Sequence, residues 1–213
     1  MAIVLSSLLS AGVCAGAPLR GTFVGNAGWK ISDGRETLWV DFPYQSGAFG
    51  YQTYPPSALR RAGKTYCLFT HAHADHFAPD LVARCGCVSI GPPFIRRAGP
   101  LGRSRIIQDR LALPPIMITA VATEHSPDHR SYLVEWSGAR LYFTGDTDSL
   151  AALGSQRGLD AVFITPWLLE ACRKSGMVID ARRVIVDHRR PGEHIDCGDC
   201  FVPETGEAIT LSK

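Results

Sequence analysis

Residues 70–76 read Thr70-His71-Ala72-His73-Ala74-Asp75-His76, four side chains able to bind a metal, directly after the apolar run Tyr66-Cys67-Leu68-Phe69. His71 and His73 are two apart, so on an extended segment their imidazoles project to the same side. Asp75 and His76 follow where the chain can turn and present a second cluster. Imidazole nitrogen and carboxylate oxygen suit Zn²⁺ and similar divalent ions, and a site with three protein ligands leaves a position open for water. Crowding these groups gains nothing for stability without an ion between them. The chemistry indicated is metal-assisted catalysis.

Three later segments carry side chains of the same kinds. They are Ala122-Thr123-Glu124-His125-Ser126, then Leu141-Tyr142-Phe143-Thr144-Gly145-Asp146-Thr147, then Val184-Ile185-Val186-Asp187-His188, where a histidine ends an apolar strand. Taken singly, His125 could be a loop histidine, Asp146 a helix N-cap and His188 a strand-end residue.

With His71-Ala-His73-Ala-Asp75-His76 in front of them, the sequence resembles the metallo-β-lactamase-fold hydrolases, whose signature is His-x-His-x-Asp-His at the end of a strand. The resemblance covers roughly residues 21–190. It implies that His71, His73 and His125 hold one metal and that Asp75, His76 and His188 hold the second, with Asp146 bridging both. It also implies the α/β fold class, as a four-layer αββα sandwich with the metals at the open edge of two packed sheets. The segments Gly21–Ile31 and Leu38–Pro43 are similar to the family's opening hairpin, which makes Asp41 a carboxylate behind the metals. They read Gly25-Asn26-Ala27 and Asp41-Phe42-Pro43, where many relatives have Gly-His-Ala or Gly-His-Ser and Asp-Pro.

The cofactors so implied are two divalent metal ions, Zn²⁺ first, with Mn²⁺ and Fe²⁺ suited to the same ligands. Two ions sharing a water lower its pKa toward neutrality, and Asp75 and Asp146 are the expected catalytic residues that orient it. The reaction expected is hydrolysis of an ester-like bond, a lactone, phosphodiester or thioester, in a small molecule. The compact length and Gly25-Asn26-Ala27-Gly28-Trp29 look most similar to the ascorbate-6-phosphate lactonase-like branch. Asp146 in Thr-Gly-Asp-Thr resembles the bridging ligand of glyoxalase II, tRNA-processing nucleases and lactonases rather than that of β-lactamases. Two other classes compete: a mononuclear iron oxidoreductase of the persulfide-dioxygenase kind, and a non-catalytic metal-binding protein.

The 213 residues are 46% hydrophobic and 20% charged, with net charge +2, enough for one well-buried core. A single catalytic domain over residues 18–213 is expected. Charge this near neutral argues against a nucleic-acid or membrane partner. Residues 1–17 combine a mostly apolar stretch with Ala15-Gly16-Ala17, a pattern signal peptidases cut. Export to the periplasm or medium is therefore expected, a cytoplasmic location being the alternative, and no apolar run is long enough for a permanent membrane span. Loss of the leader leaves Cys67, Cys85, Cys87, Cys172, Cys197 and Cys200, an even number suited to an oxidising compartment but of unreadable connectivity. His194-x-x-Cys197-x-x-Cys200 is either an accessory metal or redox group or a plain disulfide.

Short apolar strands must position these residues: Phe23-Val24, Thr37 to Val40, Tyr66 to Phe69, Val88 to Ile90, Ile116 to Val121, Ser131 to Trp136, Leu141 to Phe143, Ala161 to Thr165, Val184 to Val186 and Ala208 to Leu211. Helices are expected at Pro79–Arg84 and Ser149–Leu153, each following a motif loop, and within Pro166–Lys174. His129 is a candidate to face the substrate, and Arg189 and Arg190 to meet an anionic group on it, with a solvated loop histidine and a solvated turn as the respective alternatives.

Overall fold

The computed structural model describes residues 18–59, 64–97 and 103–212, so the leader expected over residues 1–17 lies outside the described residues. In chain order the elements are β1 (Arg20–Gly25), β2 (Gly28–Ser32), β3 (Glu36–Val40), β4 (Lys64–Leu68), α1 (Pro79–Cys85), β5 (Val88–Gly91), α2 (Phe94–Arg97), β6 (Ser104–Ile106) and β7 (Arg110–Leu113). There follow β8 (Ile116–Ala122), β9 (Arg130–Trp136), β10 (Ala139–Phe143), α3 (Leu150–Gly154), β11 (Ala161–Ile164), α4 (Pro166–Ser175), β12 (Val184–Val186) and β13 (Ala208–Thr210). One sheet runs β13-β1-β2-β3-β4-β5-β6 and the other β12-β11-β10-β9-β8-β7.

The period-2 geometry of a strand explains the layering. Leu38 and Val40, Tyr66 and Leu68, Leu141 and Phe143, and Ala161 and Phe163 enter one core between the sheets. Their alternates leave on the outer faces. Trp39 and Cys67 pack with Val82 of α1 and Phe94 and Ile95 of α2. Tyr142, Val162 and Ile164 pack with Leu153 of α3 and Leu168, Leu169 and Cys172 of α4. Three apolar layers thus separate four layers of structure, the αββα sandwich, although its helices are short.

The strands β3 to β6 are mutually parallel, and so are β10, β11 and β12. Parallel strands end at one edge, so the segments following β3, β4, β10, β11 and β12 meet there, as crevices outside strand carboxyl ends do in open α/β sheets. The opening region differs from the expected two-strand hairpin. It is three strands, because the chain reverses at Asn26-Ala27 between β1 and β2 and again at Asp33-Gly34 before β3. The strands β6 and β7 and the helix α2 have no counterpart in the sequence reading, being three or four residues long and weakly apolar.

Candidate metal centre

After β3 the Asp41 carboxylate organises the motif loop. Its Oδ1 accepts the Thr70 N–H at 2.8 Å, and its Oδ2 accepts the Thr70 hydroxyl at 2.8 Å and His76 Nδ1 at 2.9 Å. Having donated to Asp41, the Thr70 Oγ1 is left as the acceptor for His71 Nδ1, 3.0 Å away. Both imidazoles are thereby fixed in the tautomer whose Nε2 carries a lone pair facing inward. The strand end is stitched to the second sheet by Tyr132 Oη donating to the Phe69 carbonyl at 2.9 Å and by the Arg130 N–H donating to that of Thr70 at 3.0 Å.

All seven residues expected as ligands come together, in two clusters that share Asp146. In the first, His73 Nδ1 is 3.0 Å from His71 Nε2 and 3.2 Å from His125 Nε2, while Asp146 Oδ2 is 3.8 and 3.6 Å from those two Nε2 atoms. In the second, His188 Nε2 is 3.2 Å from both Asp75 Oδ2 and Asp146 Oδ1 and 2.9 Å from His76 Nε2, which is itself 3.0 Å from Asp146 Oδ1. The two oxygens of Asp146 therefore face different clusters.

The donor set fits divalent ions. Asp146 Oδ1 is buried with, among the described residues, only His76 Nε2 and His188 Nε2 within reach, at 3.0 and 3.2 Å. With their lone pairs turned inward it has no donor, which is costly for a buried carboxylate unless a cation or proton intervenes. Nitrogen lone pairs about 3 Å apart repel unless a proton or cation lies between, and ligands ~2.0–2.1 Å from a shared tetrahedral ion stand roughly 3.3 Å from one another. Without an ion the cluster holds protons instead. Burial opposes charging His188, yet the Asp146 carboxylate and hydrogen bonds to Asp146 and Asp75 hold its pKa up at about 9. Burial likewise opposes charging His76, and Asp146 and Asp41 keep it well above the ordinary histidine value. Burial would raise Asp146, but His76 and His188 hold it well below the carboxylate range. His71, buried and beside His76, is pushed down.

Residues outside the motif hold the ligands in place. Asn26, fully buried in a left-handed turn with φ of 53°, donates from Nδ2 to the Asp75 carbonyl at 2.6 Å, and its own carbonyl accepts the His188 N–H at 2.7 Å. It ties together two ligand loops, a role the sequence reading missed. Its one local signal was an asparagine at a strand reversal, where that residue tolerates positive φ. Asp187 is buried against Trp29 Nε1, 2.7 Å away, and burial pushes its pKa up to about 7.

His129 does not face the substrate. It is buried, and the Asp146 N–H donates to its Nε2 at 3.2 Å, so Nδ1 carries the proton and donates to Thr123 Oγ1 at 2.7 Å. Burial lowers its pKa to about 3, keeping it neutral. Gly145, at φ of +58°, makes room for it, since a Cβ there would meet His129 Nε2 at 2.6 Å. Arg189 also departs from expectation: its buried guanidinium binds Glu204 Oε1 at 2.6 Å and the Pro203 carbonyl at 3.2 Å, fastening the C-terminal segment. Arg190 is exposed, its N–H donating to Glu193 Oε2 at 2.9 Å.

The rings of Tyr51 and Trp167 stand edge-on to His188 at centroid distances of 4.4 and 5.0 Å. A cavity of about 420 Å³ opens beside the clusters, lined by Glu124, His125, Asp146, Asp148 and Trp167. A hollow of about 570 Å³ along residues 189–204 contains Cys197 and Cys200, but these are disulfide-bonded and offer no thiolate to a metal with His194. A second disulfide joins Cys67 of β4 to Cys87.

Neither a protein-family model nor a curated protein sequence matches the chain. Its fold is similar to that of a metallo-hydrolase from the archaeon Ignicoccus hospitalis, at TM-score 0.69 and 15% identity, covering 92% of this chain and 100% of the other. It is also similar to the metallo-β-lactamase-fold protein YhfI from Bacillus subtilis, at TM-score 0.66 and 15% identity over 90% of this chain and 99% of that one. A third likeness is to the short form of human tRNase Z, at TM-score 0.62 and 14% identity over 91% and 98%. The chain has the metallo-β-lactamase fold.

Proposed function

We propose that the protein is a metal-dependent hydrolase holding two divalent ions, one between His71, His73, His125 and Asp146 and the other between Asp75, His76, His188 and Asp146. Its reaction is cleavage of an ester-like bond, a lactone, phosphodiester or thioester, in a small molecule. The observation that carries this reading is the division of the Asp146 oxygens between two complete ligand clusters. Divalent ions bound there supply a Lewis acid and a water that ionises near neutral pH.

The chain's own part is positional. Asp75, with Oδ2 in its cluster, has a second oxygen able to hold the attacking water by a hydrogen bond and to take its proton, while Asp146, with one oxygen given to each cluster, would fix where that water is held. Asp41 and Thr70 fix the tautomers of His71 and His76, while His73 and His125 lie at the exposed side where substrate enters. Zn²⁺ is the first choice of ion, with Mn²⁺ and Fe²⁺ compatible with the same donors. A mononuclear iron oxidoreductase has no need of the second cluster, yet that cluster is here the more completely buried. The near-neutral charge supports a small molecule over nucleic acid, and the Gly25–Trp29 segment supports a lactonase-like substrate. Among the described residues no helix is long and apolar enough to cross a membrane. The two disulfides suit an oxidising compartment and so support export, and Ala15-Gly16-Ala17 supports cleavage after Ala17.

Elemental analysis joined to a panel of lactone, phosphodiester, thioester and β-lactam substrates tests the reading. Two ions per chain with turnover abolished by chelator is the expected result. One iron per chain with oxygen consumption on a persulfide would replace it, and a metal-loaded protein inert to the whole panel would refute catalysis. Mass spectrometry of the exported protein should find an N-terminus at Pro18.

A further inference from the structure

The cavity outside the clusters carries a charge pattern of its own. Besides the ligands His125 and Asp146 it is lined by Glu124, Asp148 and the indole of Trp167, with no lysine or arginine among them. Both added carboxylates are exposed, and neither has a hydrogen-bonding or ion-pair partner among the described residues. They are not spent on holding the fold. Glu124 sits directly before His125, and Asp148 two residues after Asp146, so each is carried by a ligand loop and points its charge where a substrate must pass.

Ions held by His125 and Asp146 would face the reacting bond at the floor of this cavity; at its rim, beyond them, opposing positive charge is small. The N-terminus of α4 lies at this edge, since Trp167 in its first turn touches His188, but a helix end amounts to about half a charge. Arg190 and Glu193 both lie near enough to Tyr51 to act on its phenol, and they act in opposite senses. Trp167 is 38% exposed, a flat apolar wall whose face also attracts cations.

We propose that this mouth sets the substrate's charge: the group lying against Glu124, Asp148 and Trp167 is a cation or an uncharged apolar moiety. This rests on the hydrolase reading and narrows it. It selects a substrate whose side group is an amine or an apolar ring, and disfavours one that places a phosphate or carboxylate against this rim. Two carboxylates acting through solvent on a charge a few ångströms away make a difference of about tenfold between otherwise equal substrates.

Two measurements test it. The first compares kcat/KM of the metal-loaded enzyme on esters, lactones and thioesters made in matched sets whose side group is trimethylammonium, tert-butyl or sulfonate. The cationic member should exceed the anionic one by about tenfold, and the double variant Glu124→Gln/Asp148→Asn should level the series without changing metal content. Turnover that favours the sulfonate would overturn this inference and leave the hydrolase reading standing, while absence of metal-dependent turnover in every set would overturn that reading itself. The second needs no activity. Trp29, Trp39 and Trp136 are buried, so quenching reports on Trp167, which Trp167→Phe verifies by removing the quenchable signal. Relative to a free tryptophan amide, caesium should quench the metal-loaded protein more effectively than iodide, with the bias lost in the double variant. Preferential quenching by iodide would overturn the proposal.

Discussion

The two halves of the centre use similar ligands in opposite settings. In the half built on His71, His73 and His125, two of the three histidines are exposed; in the half built on Asp75, His76 and His188, every member is buried. The buried half is also braced from behind, with Asp41 on His76, Asn26 on the Asp75 backbone and on His188, and the Tyr51 and Trp167 rings beside His188. On the proposed reading, one half retains an ion and the other admits water and substrate. Burial raises the cost of leaving carboxylates unneutralised, so the enclosed half has more to gain from its cation.

The strongest way to break this contrast is to remove the residue common to both halves. Asp146→Ala should cut metal content to less than one ion per chain and lower kcat/KM by more than the roughly 10–100-fold typical of an outer hydrogen-bond partner, as read by elemental analysis and kinetics. Single ligand deletions then separate the halves. His125→Ala should lose one ion and most turnover while retaining the other, whereas His188→Ala should weaken the ion that resists chelation longest; stopped-flow removal with a chromogenic chelator would show two phases in the parent and one in each variant.

Changes behind the ligands should be milder. Asp41→Asn weakens the orientation of His71 and His76 together, for an expected loss of about 10–100-fold in metal affinity, measured by competition with a chelator of known affinity. His129→Ala leaves the Asp146 N–H without its acceptor at a cost of about 1–3 kcal/mol in stability, seen in denaturant unfolding, while Gly145→Ala should destabilise through both its positive φ and its collision with His129.

The smallest effect concerns the metal-free protein. His188 has a folded pKa raised to about 9, so its contribution is full below pH 6.5 and is lost as pH rises through 9. His129 has one lowered to about 3, so the unfolded chain binds its proton first and stability falls as pH drops from 6.5 toward 3. His129→Gln should therefore remove one acid-side contribution, which Asp187, raised to about 7 and losing stability as pH rises toward that value, opposes; pH-dependent unfolding of the metal-free protein reads the change. Metal affinity should rise across the upper limb, because binding displaces the His188 proton.

Much of this was legible in residue types and spacing. The cluster from His71 to His76, the strands from β3 to β5 and β8 to β12, and the helices α1, α3 and α4 lie close to where periodicity and punctuation put them. The short strands β6 and β7 were not legible, because three or four residues are too few to display a period. His129, Arg189 and Asn26 were misjudged or overlooked for another reason: each acts through a partner distant in sequence, as Asn26 does on Asp75, 49 residues away.

Sequence alone determined which atoms were available: imidazole and carboxylate groups at strand ends, in an order and local spacing suited to divalent ions. Only the tertiary structure decided that His76 and His188, 112 residues apart, meet at 2.9 Å, and that one half of the centre is closed and the other open. Ligand identity is a property of single side chains. Convergence and burial depend on how two twisted sheets pack and where their parallel strands end, which no local pattern encodes.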